Sequence, residues 1–156
     1  MKNINVLFVC TGNICRSPLA EYLLRSRLKT DSSWNIGSAG LSAAEGLPAS
    51  LVAVKVAAKI GVDLGPHHSR LLTDELIDGA TIILAMTNAH IWEIKTRFPG
   101  ARDRVHLLGA FNRRNPNRDI LDPIGGNAEI YQKTMGEISD CLGGLIEYLR
   151  SYEKSV

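Results

Sequence analysis

Val6-Leu7-Phe8-Val9-Cys10-Thr11-Gly12-Asn13-Ile14-Cys15-Arg16-Ser17-Pro18-Leu19-Ala20-Glu21 is the stretch on which the fold turns. The run Ile4 to Val9 is short, apolar and β-branched, and reads as a buried strand. Pro18 suits the first turn of a helix, with Leu19, Tyr22, Leu23 and Leu28 following at helical spacing. Between strand and helix lie a cysteine, five residues, an arginine and a serine. A short loop joining these elements can curl so that successive backbone N–H groups point inward around a tetrahedral oxyanion. Gly12 and Asn13 are the residue types that tolerate the positive φ such a curl needs. Arg16 adds a planar fork able to bind two phosphate oxygens at once. The positive end of the helix dipole, the inward N–H groups and Arg16 together favour a thiolate at Cys10. A free cysteine at a strand end is commonly a small buried hydrophobe. An arginine at the sixth position after it, with glycine between, marks this one as a nucleophile.

Downstream the pattern alternates. Trp34 to Ser38 reads as a second strand closed by Ala39 and Gly40, and Pro48 to Ile60 as a helix stopped by Gly61. Thr81 to Met86 is the clearest central strand, and Asn88 is placed to cap a helix carrying Ile91, Trp92 and Ile94 until Phe98-Pro99-Gly100. Val105 to Leu108 gives a short strand, Asn112 to Asn127 is rich in turn formers, and Ala128 to Tyr152 has helical periodicity weakened by Gly136, Gly143 and Gly144. Alternation of this kind predicts one α/β domain over residues 1–156, a mostly parallel sheet between two helix layers, with ligands at the carboxyl ends of the strands.

A chain of 156 residues that is 45% apolar and 22% charged can bury a full core, and its composition excludes collagenous and disordered classes. A net charge of +2 is too small for a nucleic-acid footprint, so any anion site is local. No apolar run approaches the ~20 residues that span a bilayer, and Met1 to Asn5 lacks a signal peptide's features. The expectation is a cytoplasmic protein with neither membrane nor nucleic-acid partners. Cys10, Cys15 and Cys141 are an odd number of expected free thiols, and their spacing matches no zinc site. No metal or cofactor is called for.

Cleavage of a phosphate monoester needs a proton donor for the leaving oxygen. Asp122-Pro123, within Leu121 to Asn127, supplies the best carboxyl, and Asp119 is its alternative. Val6 to Glu21 resembles the signature of the low-molecular-weight protein tyrosine phosphatases, and the likeness runs through nearly the whole chain. The resemblance implies a four-stranded parallel sheet flanked by helices. It also implies Cys10 as nucleophile, Arg16 as transition-state clamp, Asp122 as general acid, and Ser17 as the group that eases departure of the sulfur from a phosphocysteine. Thr11, Gly12, Asn13, Ile14 and Cys15 then form the phosphate loop, and Asn13, Ser38 and His67 brace it. In the family a thiol placed like Cys15 can form a reversible disulfide with the nucleophile. His90 and His106 read as ordinary surface or helix residues, Cys141 as core, and Arg113, Arg114 and Arg118 as a solvated cluster.

The implied partner is a phosphorylated protein, and the implied assembly a monomer or weak homodimer. Animal members of the family follow Asp-Pro with two tyrosines, whereas this chain has Ile124-Gly125, and Ala44 stands where another ring would fall. Bacterial relatives that hydrolyse phosphoarginine share the Asp-Pro-apolar-Gly-Gly loop and a continuation like Tyr131-Gln132-Lys133. Those relatives place Thr at the fourth position after the nucleophile, where this chain has Ile14. A branched apolar wall favours an aryl leaving group over a charged one. The expected activity is therefore phosphotyrosine hydrolysis, with phosphoarginine hydrolysis as the alternative. Arsenate reduction needs further cysteines near the end of the third strand, and Thr81 to Thr96 has none. A non-catalytic phosphate-binding module needs neither the thiol nor the acid.

Overall fold

The computed structural model describes residues 3–29 and 33–155. Four strands form one parallel sheet: β1 (Asn5–Cys10), β2 (Asn35–Gly40), β3 (Ile82–Ala85) and β4 (Val105–Leu107), in the order β2-β1-β3-β4. Among the described residues five α-helices accompany them: α1 (Arg16–Leu28), α2 (Leu51–Ala58), α3 (Asp74–Gly79), α4 (Asn88–Arg97) and α5 (Ala128–Lys154). This is the parallel α/β architecture that the alternation predicts, with the four strands that the family resemblance implies.

Period-two alternation sends strand residues to opposite faces. Val6, Phe8, Ile82 and Leu84 face a core closed by Leu19 and Leu24 of α1, Ala53 and Val56 of α2, and Ile138, Leu142 and Leu145 of α5. Leu7, Val9, Ile83 and Ala85 face a second core with Ile77 of α3 and Ile94 of α4. The connection leaving β1 turns to one edge and that leaving β3 to the other, so a crevice opens between their carboxyl ends, where open parallel sheets bind ligands.

Boundaries differ from the sequence reading where tertiary pairing decides. β2 runs through Ala39 to Gly40, because Cys10 pairs with Gly40 in register. Ser50 caps α2, accepting from the Ala53 N–H, so the helix begins at Leu51 rather than Pro48. Thr87, not Asn88, caps α4 by accepting from the His90 N–H. The Asn88 side chain and N–H instead both donate to Asp119 Oδ1, at 2.9 Å each. Helix α3 has no counterpart in the sequence reading. Three glycines do not break α5: Gly136 and Gly143 sit in open space, and Gly144 lets the Phe111 carbonyl approach.

Candidate active site

Cys10 ends β1 and Arg16 begins α1, and the five residues between them curl at the carboxyl edge of the sheet. Asn13 has φ 56°, a left-handed conformation that asparagine tolerates better than most residues. The loop's carbonyls are tied outward. Those of Cys10, Thr11 and Ile14 accept from the N–H groups of Leu41 (2.9 Å), Ser42 (2.9 Å) and Ser50 (2.8 Å). The Asn13 carbonyl accepts from His67 Nε2–H at 2.7 Å. In a trans peptide unit the C=O and the next N–H point in opposite directions. Each outward carbonyl therefore turns an N–H inward, at Thr11, Gly12, Ile14 and Cys15, and the result is an anion nest.

At its floor lies the Cys10 sulfur. Sγ is 2.9 Å from Ser17 Oγ and accepts from the Asn13 N–H at 3.3 Å. Asn13, Ser17 and Ser38 are buried, as is His67, and the Asn13 side-chain amide donates to Ser17 Oγ (2.8 Å) and Ser38 Oγ (2.9 Å). The structure thus brings Asn13, Ser38 and His67 together around the loop. Beneath it, Ser38 donates to Glu21 Oε1 at 2.6 Å, and the Arg70 N–H donates to Asn13 Oδ1 at 3.0 Å.

Arg16 is 4% exposed and joins the loop to the segment after β4. Its Nη1 donates to the Ile120 carbonyl at 2.9 Å, and Nη2 lies 3.6 Å from Asp122 Oδ2. Asp122 is about half-exposed, and its Oδ1 accepts from the Ile124 N–H at 3.1 Å. Of the two candidate carboxyls, Asp122 faces the loop, while Asp119 is engaged by Asn88 at the start of α4. Leu121 and Ile124, on either side of Asp122, are exposed.

Three residues near the loop escape a sequence reading. His90 is buried, not at the surface, and its Nε2 shares a 2.9 Å hydrogen bond with Thr11 Oγ1. Burial, with the nearby Arg16 guanidinium, pushes its pKa down to about 4. Tyr131 is buried with its hydroxyl 3.4 Å from Cys15 Sγ, and Ser50 donates to that hydroxyl at 3.3 Å. Burial pushes the Cys15 thiol up. The third is Glu21, which the sequence gives only as the last residue of the signature stretch, with no role attached. Cys141 is core as expected, donating to the Glu137 carbonyl, and burial pushes its thiol up to about 12. In the basic cluster Arg113 pairs with Glu147. Among the described residues no helix is long and apolar enough to cross a membrane.

Comparison with known proteins places this geometry. The family model described as low molecular weight phosphotyrosine protein phosphatase matches residues 5–155. The chain is 41% identical over 146 residues to a protein-arginine-phosphatase of Geobacillus stearothermophilus, covering 94% of this chain and 96% of that one. The solved YwlE arginine phosphatase from the same organism superimposes with a TM-score of 0.88 at 39% identity, over 97% of this chain and 96% of the other. A low molecular weight protein tyrosine phosphatase from T. tengcongensis does so equally, with a TM-score of 0.88 at 38% identity, over 94% of this chain and 99% of the other. A cysteine cradled by a strand-to-helix loop and a match over nearly all of the sequence lead to one conclusion: the chain belongs to the low molecular weight phosphotyrosine protein phosphatase family.

Proposed function

We propose that the chain is a protein tyrosine phosphatase that acts through a phosphocysteine. The observation that carries this reading is the Cys10 sulfur at the floor of the amide nest, with Arg16 and Asp122 paired at its rim. The loop N–H groups and the Arg16 fork bind the phosphate oxygens, replacing the Arg16–Asp122 pair with Arg16–phosphate contacts. The Cys10 thiolate attacks phosphorus in line, an S–P bond forms, and the P–O bond to the tyrosine breaks as Asp122 gives its proton to the leaving oxygen. Asp122, now a carboxylate, takes a proton from water, whose oxygen attacks phosphorus. The S–P bond breaks, releasing inorganic phosphate and the thiolate, with Ser17 beside the departing sulfur.

Ile14 supports phosphotyrosine as the substrate. It is half-buried and packed against the main core, an apolar wall with no hydroxyl to satisfy a guanidinium. Phosphoarginine is the second reading, favoured by the 41% identity to the Geobacillus stearothermophilus enzyme and by the Asp122-Pro123-Ile124-Gly125-Gly126 loop. The test compares kcat/KM for a phosphotyrosine peptide and phosphoarginine, alongside ³²P trapping on wild type and Cys10→Ala. The expected result is at least tenfold preference for phosphotyrosine, with label trapped on wild type and absent from the variant. Preference for phosphoarginine overturns the substrate, and labelling of Cys10→Ala overturns the nucleophile.

A further inference from the structure

We propose that Glu21 is a positioning residue for Cys10, fixing the direction of a buried hydrogen-bond chain so that the Ser17 hydroxyl gives its proton to the sulfur. This rests on Cys10 being the nucleophile. A hydroxyl can donate or accept, so Cys10–Ser17–Asn13–Ser38 taken alone has no defined direction. Its two ends remove the choice. At one end the Glu21 carboxylate, 6% exposed, is an acceptor, and Ser38 spends its single proton on Oε1 at 2.6 Å. Ser38 Oγ can then only accept from Asn13, 2.9 Å away. At the other end the Arg70 backbone N–H is a donor, and it lies 3.0 Å from Asn13 Oδ1.

Both constraints turn the Asn13 amide the same way, oxygen to Arg70 and nitrogen to the serines. The two protons of Nδ2 are consumed by Ser38 and by Ser17, the latter at 2.8 Å. Ser17 Oγ thus accepts from Asn13, and its own proton is left for Cys10 Sγ at 2.9 Å. Arg25 Nη2, 2.6 Å from Glu21 Oε2, pairs with the carboxylate from the protein surface. Directed this way, the Ser17 proton stabilises negative charge on sulfur. Its effect falls on breakdown of the phosphocysteine, when the sulfur must leave as an anion, more than on attack at phosphorus, when Asp122 assists the departing oxygen.

Glu21→Gln keeps the shape but offers Ser38 a donor as readily as an acceptor. With p-nitrophenyl phosphate, we expect Glu21→Gln to lower kcat about tenfold, while the first-turnover burst of p-nitrophenol changes by less than about threefold. In a Ser17→Ala background the same substitution should change kcat by less than about twofold, since the proton it directs is gone. Equal effects in both backgrounds, or a burst slowed as much as kcat, overturn the proposal. Ser38→Ala cuts the chain one link closer to the sulfur and decides the matter if Glu21→Gln does not fold. A kcat loss of at least about threefold, again absent in the Ser17→Ala background, is expected, and an unchanged kcat overturns the idea. Turnover by Cys10→Ser instead sinks the nucleophile assignment itself, whereas an inert Cys10→Ser with additive Glu21 and Ser17 effects removes this inference alone.

Discussion

Burial and the Arg16 guanidinium push the His90 pKa from 6.5 down to about 4, so the ring is neutral while it bonds Thr11 in the native protein at neutral pH. In the unfolded chain the same ring titrates near 6.5. Between those values the unfolded state binds the additional proton, so stability is intact above about pH 6.5 and is lost as the pH falls towards 4. At pH 4.5 this one group removes roughly 2–3 kcal/mol relative to pH 7. Carboxylates contribute their own acid sensitivity, so the measurement is a comparison. The difference in urea unfolding free energy between pH 7 and 4.5 should be smaller by about that amount in His90→Gln than in wild type. Equal differences would mean that His90 accepts its proton in the folded state without penalty. Asp122 shows a different kind of residue-scale logic. Its carboxylate lies 3.6 Å from Arg16, which ties the segment after β4 to the loop between β1 and α1.

The junction of β1, its loop and α1 depends on how closely β2 approaches. Gly40 pairs with Cys10 at the end of the sheet, and a Cβ added there would meet the Thr11 carbonyl at 2.6 Å and the Asn13 N–H nitrogen at 3.0 Å. Both are backbone atoms of the nest and cannot swing aside as a side chain would. Gly40→Ala therefore displaces the loop, and kcat/KM for p-nitrophenyl phosphate should fall by at least about 100-fold, because sub-ångström placement of the nucleophile governs the rate. Vanadate affinity should fall with it. Near-normal activity in Gly40→Ala would show that the loop has slack the packing does not suggest. Sequence reading reaches this junction because its chemistry is contiguous: Cys10 through Ser17 lie within eight positions, and the strand and helix on either side have strong periodicity. It does not reach what meets the loop from afar. Thr11 meets His90, 79 positions on, and Cys15 meets Tyr131, 116 positions on, and nothing in the type or spacing of either partner points back to the loop. Helix α3 is missed because six residues are too few for a 3.6-residue period, although Thr73 before Asp74 and Glu75 is a legible cap. The cap of α4 is misplaced by one because Thr87 and Asn88 are both good capping types, and only the extended backbone of Thr87 decides between them.

At the scale of the molecule, the parallel sheet separates two apolar cores and keeps the site at their shared edge. Ile138 of α5 and Ile94 of α4 are both fully buried, each in the core on its own side. The active-site groups are held chiefly by hydrogen bonds among Asn13, Ser17, Ser38, Glu21, His67 and Arg70, which neither isoleucine joins. Removing one methylene from either core should cost about 1 kcal/mol in urea unfolding. The Ile138→Val/Ile94→Val double variant should lose the sum of the two to within about 0.5 kcal/mol, as residues with no shared partners do. A domain of this size has roughly 5–15 kcal/mol of stability, so the double variant stays folded at 25 °C and its kcat/KM should remain within about twofold of wild type. A coupling above about 1 kcal/mol would show that strain passes through the sheet from one core to the other. A tenfold loss of activity in the folded double variant would show that the anion nest relies on core packing as well as on its own hydrogen bonds.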